Sequence, residues 1–512
     1  MLKIQVRSSD KKFSIDLEDV DFVWNAPEIK QDAAFKNGQK GAIVELFGWP
    51  YADIEQECEF LAKAGYMGVK VFPPNEHVMS DEWPQNGELN PWWFDYQPVS
   101  YKLSSRSGTR DELRSMIHTC RSLGVRVYAD AVVNHMSGGG NDRWPEHIAG
   151  NCATWGPKSS TAGSPYYTHD FLDHNSEQTG KRPGLEYPSV PYGPEDFHCE
   201  RSLGSWNDPF QLNYGWLVGL SDLNTEHDYV RNRIAAYFSD LIGIGFSGFR
   251  IDAAKHIYPD SLAHILMNFK GKMGGSLPDD FMTYLEVIIG GEAGLLACND
   301  GEYNFGFSFA NKMKEVGLTD DDIYKVKIWS SDYPKEHPVC GYWTIPSERY
   351  AIENDCHDDQ NPGSSSRDMQ DKGSVLIKDK DVGKHREFEK LMFTRTDGNW
   401  QIKLILSSYS FMNNGAAGYP DGLSDCTKCT GTHCQDCSKS MKYSKAFDDS
   451  SCGYDVMKNG SWQEGVFTRV HRDYEIIQAM RSWQGLSSPN GPEEVGLGSH
   501  CAMRQPAEQL TE

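Results

Sequence analysis

The sequence contains no run of 18 apolar residues, so it offers no membrane-spanning helix. It opens Met1-Leu2-Lys3-Ile4-Gln5-Val6-Arg7 without the apolar stretch of a secretory leader. Positive charge is scarce, with 50 Lys and Arg against 73 Asp and Glu and a net charge of −23. A surface this acidic repels phosphate backbones and anionic lipid, which argues against nucleic-acid and membrane partners. Solubility alone is the plainer reason for such acidity.

Aromatic residues and cysteine are plentiful. Many of the 14 Trp, 24 Tyr and 23 Phe sit among polar neighbours, as in Trp92-Trp93-Phe94-Asp95-Tyr96. That mix suits flat amphipathic ligands such as sugars, and it equally suits a large core. Of the 13 Cys, six fall between Cys426 and Cys501, a usage typical of an oxidising compartment. An extracellular chain whose leader has been removed is therefore expected. Asn459-Gly460-Ser461 matches the glycan acceptor triplet.

The 512 residues allow two to four domains, or one large α/β barrel with additions. Residues 1–40 read as an N-terminal extension with strand-like pieces at Lys3–Val6 and Phe13–Leu17. From Gly41 strands and helices alternate. Gly41–Phe47, Gly68–Phe72 and Val125–Val133 read as strands, with helices over Asp53–Ala64 and Arg110–Leu123 between them. Such spacing indicates βαβ units and a parallel sheet. After His135 come residues 136–220, rich in Gly, Pro, Asn, Asp and Ser, which read as a small inserted subdomain because so long a structureless loop is improbable. The alternation resumes with a helix over Asp228–Ile242, strands at Gly248–Asp252, Phe281–Ile288, Arg349–Asn354 and Gln401–Leu406, and helices near His385–Thr394 and Arg472–Trp483. Admitting Asn304–Phe309 as a strand gives eight, hence an eightfold (β/α) TIM barrel over 41–135 and 221–485. A Cys-rich insert at 424–452 and a short tail at 486–512 complete the chain.

In such a barrel the reactive groups sit at the carboxyl ends of the strands. Those ends carry Asp130, Asn134 and His135, then Arg250, Asp252, Lys255 and His256, then Glu286, and finally His357 and Asp358. For Asp252 alone, an ordinary strand-end ion pair with Arg250 is the competing reading. Three carboxylates with two His and an Arg at one mouth point instead to glycoside hydrolysis, which with retention needs two carboxyls roughly 5 Å apart.

Four ordered segments, Asp130-Ala131-Val132-Val133-Asn134-His135, Gly248-Phe249-Arg250-Ile251-Asp252-Ala253-Ala254-Lys255-His256, Glu286-Val287-Ile288 and His357-Asp358, resemble the signatures of the α-amylases of glycoside hydrolase family 13. The flanks Pro73-Pro74-Asn75-Glu76, Trp92-Trp93, Asn207-Asp208-Pro209 and Gly290-Gly291-Glu292-Ala293 are similar to its animal-type branch. The resemblance implies retaining endo-hydrolysis of α-1,4-glucosidic bonds in starch, glycogen and malto-oligosaccharides by a monomer. A related α-glucosidase or transglycosylase, or a non-catalytic amylase-like binding protein, remain alternatives. It assigns Asp252 as nucleophile, Glu286 as acid/base and Asp358 as third carboxylate. Trp92, Trp93, Tyr96, His135, Arg250, Lys255, His256 and His357 would meet the substrate. A Ca2+ site is implied at Asn134 and Asp222, with carbonyls of Asn213 and His256. Cys58 and Cys120 match a family disulfide, while Cys199 lacks its family partner because Gly215 stands there.

The departures are specific. Cys356 precedes His357 where the animal enzymes place an Asn that binds chloride, and their second chloride Arg falls near Lys403 or Leu404, so chloride is doubtful here. Asn361-Pro362-Gly363-Ser364-Ser365-Ser366-Arg367 replaces a Gly-rich loop. A C-terminal β-sandwich of roughly a hundred residues is expected to be absent. Cys426, Cys429, Cys434 and Cys437 are spaced too closely for a zinc ribbon and read as a disulfide-stapled loop.

Overall fold

The computed structural model describes residues 5–8, 12, 14–16, 40–79, 92–138, 160–166, 185–288, 292–296, 301–329, 345–354, 356–358, 382–394, 401–408 and 469–502, with short paired segments at 429–434 and 457–462. The expected disulfide-stapled loop, the glycan triplet and the 361–367 segment lie outside the described residues or have no described side chains.

Eight parallel strands close into a barrel, β1 (Gly41–Phe47), β2 (Gly68–Lys70), β3 (Arg126–Ala131), β4 (Gly248–Ile251), β5 (Met282–Glu286), β6 (Val326–Trp329), β7 (Tyr350–Glu353) and β8 (Ile402–Ser408). The closing pair, β8 on β1, runs for seven rungs from Ile402 opposite Gly41 to Ser408 opposite Phe47. Around it stand α1 (Tyr51–Ala64), α2 (Arg110–Ser122), α3 (Asp228–Gly243), α4 (Pro259–Lys272), α5 (Phe307–Glu315), α6 (Asp320–Tyr324), α7 (Val382–Thr394) and α8 (Tyr474–Gln484).

Local chemistry sets the boundaries. Thr109 and Glu112 form a reciprocal capping box at the start of α2, and Gly65 ends α1 in the left-handed region at φ 94°. Asp473 caps α8 by accepting from the Ile476 N–H. Gly248 starts β4 at φ 154°, and a Cβ there would collide with the Met282 carbonyl on β5, so the two strands can approach only with glycine.

One strand assignment is corrected. Asn304–Phe309 is not a strand; Asn304 Oδ1 accepts from the Gly306 N–H at 2.6 Å, and the chain enters α5, which buries Phe309 and Met313 one turn apart. The sixth strand is Val326–Trp329, delivered by α6 behind a Thr319 cap. Its Lys327 interrupts the apolar run and hides the strand from a periodicity reading.

Between β3 and β4, His135–Gly138 pairs antiparallel with Leu220–Asp222. The ribbon follows β3 directly, and the short helix Pro209–Tyr214 meets the Lys255–His256 turn that follows β4. Residues 5–7 and 14–16 pair as a separate antiparallel ribbon. Cys58 on α1 and Cys120 on α2 form a disulfide, with Cα atoms 4.9 Å apart. Among the described residues no helix is long and apolar enough to cross a membrane.

Candidate active site

Arg250 is the hub of the carboxyl end. Strand register sets Asp130 of β3 directly opposite Arg250 of β4, and both side chains point inward. Arg250 Nη1 donates to Asp130 Oδ1 at 2.6 Å and to Asp252 Oδ1 at 2.8 Å, while Nη2 donates to Glu286 Oε1. Asp252 follows the last residue of β4, and Glu286 ends β5. One buried guanidinium therefore holds both carboxylates that the sequence singles out. Ala253, in the left-handed region at φ 47°, turns its N–H onto Glu286 Oε2 at 2.6 Å. A non-glycine residue in that conformation costs of order 1–3 kcal/mol, and here the turn supplies a donor to the site.

Burial and the neighbouring Glu286 push the Asp252 carboxyl up to about 8, against the pull of Arg250. With Glu286 held on the same guanidinium, a negative charge stands beside Asp252 and favours its protonated form. The third acid, Asp358, is the exposed one, and it joins through His357, whose Nε2 lies 3.6 Å from Asp358 Oδ2. His357 Nδ1 donates to Glu45 Oε1 at 2.8 Å, and its ring stacks on Phe47. Asp252 and Glu286 thus meet on Arg250, whereas Asp358 is reached by a separate arm.

The cleft wall is aromatic. Trp92 packs edge-on against Trp93, Tyr96 and His357 with centroids 5.8–6.0 Å away, and both Trp rings keep partly exposed surface. The Tyr96 hydroxyl donates to Asp130 Oδ2 at 2.9 Å. His135 gives Nε2 to the Tyr96 carbonyl at 3.0 Å, and burial pushes its pKa down to about 4, so the ring is neutral. Lys255 donates to the Ile288 carbonyl and to Glu292, and stands 4.7 Å over Trp206. Trp206, 44% exposed beside Lys255 and His256, is a ring that the sequence reading passed over, although it directly precedes Asn207-Asp208-Pro209.

The four expected calcium residues lie in two contacts, Asn134 with Asp222, and Asn213 with the turn that carries Lys255 and His256. Asn134 Nδ2 donates to Asp222 Oδ1 at 3.4 Å, Asn213 Nδ2 to the Lys255 carbonyl at 3.3 Å, and His256 Nδ1 to the Leu212 carbonyl at 2.9 Å. Among the described residues buried Asn213 Oδ1 has no hydrogen-bond partner, and burial pushes Asp222 up to about 7. An orphaned oxygen and a desolvated carboxylate suit a hard cation. His198, missed in the sequence, also reaches this place; its Nδ1 is 2.6 Å from Asp222 Oδ2 and its Nε2 2.8 Å from Glu226 Oε2.

The residues expected around a halide have other partners. Arg250 Nη1 and Nη2 donate to carboxylates, Cys356 and Leu404 belong to the apolar interior of the barrel, and Glu45 and Glu353 are buried in it as well. Lys403, expected as an anion partner, is turned to the outer wall, where it donates to the Met392 carbonyl and covers Trp483.

A family model described as Alpha amylase, catalytic domain, matches residues 35–277. Pancreatic alpha-amylase 2a5 of Mus musculus is 37% identical over 358 residues, covering 68% of this chain and 62% of the relative. Alpha-amylase 2B of Homo sapiens is 38% identical over 339 residues, covering 63% of this chain and 58% of the relative. The crystal structure of alpha-amylase I from Eisenia fetida superposes with a TM-score of 0.57 at 25% identity, covering 88% of this chain and 78% of that one. The chain spans less than two thirds of the length of these curated relatives. With the four motifs in order on a closed parallel barrel and their acids gathered at its carboxyl end, the chain belongs to the alpha-amylase family.

Proposed function

We propose that the protein hydrolyses internal α-1,4-glucosidic bonds of starch, glycogen and malto-oligosaccharides with retention, by way of a glycosyl-enzyme. The observation that carries this reading is the placement of Asp252 and Glu286 on a single buried arginine at the ends of adjacent strands. Retention asks for a nucleophile and an acid/base as near neighbours, and this geometry supports that. Asp252 attacks the anomeric carbon in its ionised form, and Glu286 protonates the departing glycosidic oxygen and later deprotonates water. Arg250 favours an ionised Asp252 by neutralising the charge beside it. Asp358, with His357, binds hydroxyls of the distorted sugar. Trp92, Trp93 and Trp206 offer rings for sugar faces, and Tyr96 braces Asp130 beneath them.

Calcium would be held by Asn134, Asp222 and the carbonyls of Asn213 and His256. It supplies a fixed charge that ties the inserted segment to the barrel rim. The disulfide and the family resemblance support an extracellular setting. Soluble starch is the test. The wild type is expected to release oligosaccharides of mixed length, with Glu286→Gln slower by roughly 10²- to 10⁴-fold. Glucose alone would indicate an exo-acting enzyme, and no release above the Glu286→Gln background would indicate a binding protein.

A further inference from the structure

Below the reacting carboxylates the barrel interior holds a charged layer with no assigned role. Lys70, fully buried on β2, donates to Glu45 Oε1 on one side and lies 2.7 Å from Asp130 Oδ2 on the other. Register puts Glu45 directly opposite Lys70, so the pair is built into the sheet. Glu45 Oε1 also accepts from His357 Nδ1 at 2.8 Å, and Asp130 accepts from Arg250 at 2.6 Å. Lys70 is thus the branch point of two arms. One runs through Asp130 and Arg250 to Asp252 and Glu286, and the other through Glu45 and His357 to Asp358.

A buried ammonium with two carboxylates is held only because both ion pairs are made; losing either partner leaves an uncompensated charge. The groups facing this layer are Glu45 from β1, Asp130 from β3, Arg250 from β4, Tyr284 and Glu286 from β5, Glu353 from β7, and Tyr96 and His357 from the loops. Glu45 and Lys70 have 2% and no exposure, so neither can touch a sugar. Any effect on turnover has to pass through His357, Asp130 and Arg250.

We propose that Glu45 and Lys70 are positioning residues that fix the His357 imidazole and set the charge balance of the Asp252–Glu286 pair. The proposal rests on the hydrolase reading above. Glu45 keeps His357 protonated on Nδ1 and its Nε2 aimed at Asp358 and the cleft. Lys70 offsets the charge of Asp130, leaving Arg250 available to both reacting carboxylates.

The test compares wild type, Glu45→Met, Lys70→Met and the double variant, which removes the pair as a neutral unit and is the folded comparison if Lys70→Met alone is too unstable. Nitrogen-15 NMR of the histidine rings is the readout independent of turnover. The Nδ1-protonated signal of His357, identified by its loss in His357→Gln, is expected to disappear in Glu45→Met and in the double variant, because methionine offers no oxygen to accept from Nδ1. On maltoheptaose, kcat is expected to fall on the order of 10- to 100-fold with KM little changed, because misplacement by about 1 Å costs that much. Removing the Lys70 charge is expected to move the alkaline limb of kcat/KM to higher pH, since lost positive charge strengthens proton binding by the carboxyl pair. Variants that keep the His357 signal, kcat and the limb while only Tm falls would overturn the inference. A wild type that shows the His357 signal yet cleaves no glucan would sink the hydrolase reading and leave the Glu45–His357 assignment standing.

Discussion

The raised Asp252 carboxyl gives the proposed activity a pH signature. Below about 8 the site keeps a proton that general acid catalysis can use, and above it that proton is lost. The expected profile of kcat/KM on a short malto-oligosaccharide therefore falls as pH rises through about 8, and a flat profile to pH 10 would exclude a raised carboxyl in the reaction. Because burial raises the folded-state pKa of Asp252, its contribution to stability is greatest at low pH and is lost as pH rises toward that value. At this scale much was legible. Asp252, His357 and Asp358 could be named because each follows an apolar run in a polar cluster, whereas Glu286, inside the run Tyr284–Ile288, was named from the family signature. Glu45 and Lys70 could not, since they lie singly inside strands and their partners are remote in sequence; the only local signal is a charge where a doubly covered strand should be apolar.

At the scale of elements, the junction of α1 with the approach to α8 closes the outer ring. Buried Glu57 accepts from His471 at 2.9 Å and from Arg472 at 2.8 Å. Burial opposes its charge, but His471 and Arg472 hold its carboxyl well below the usual range. Its stabilising effect is present above pH 4.3 or so and is lost as pH falls below that. Glu57→Ala is expected to cost about 3–5 kcal/mol in urea unfolding at pH 7, since it strands a buried guanidinium, with the difference narrowing at pH 3. An equal cost at both pH values would place the effect in packing alone. Helices and strands with clean periodicity fell within a few residues of expectation, as with Arg110–Ser122 and Asp228–Gly243. The sixth strand failed because Lys327 broke its pattern while Asn304–Phe309 offered aromatic alternation; a local cap, invisible to periodicity, made the latter a helix start.

For the molecule as a whole, the inserted segment and barrel meet at the Asn134–Asp222 contact, where a cation would sit. A chelator is expected to lower Tm by several degrees and to be reversed by added Ca2+ but not by Mg2+, which demands tighter octahedral geometry. A melting curve insensitive to both would remove calcium from the account. The barrel itself was legible from the alternation of elements, because βαβ spacing leaves few topologies. The structure adds how the barrel shuts. Gly41 finds its rung only at Ile402, across most of the chain. On a ribosome adding roughly 5–20 residues per second, β1 waits tens of seconds with one edge unpaired. A seven-residue, mostly apolar edge left open that long is a docking strip for other nascent chains. The nascent polypeptide is therefore most exposed to intermolecular strand pairing until its last barrel strand emerges.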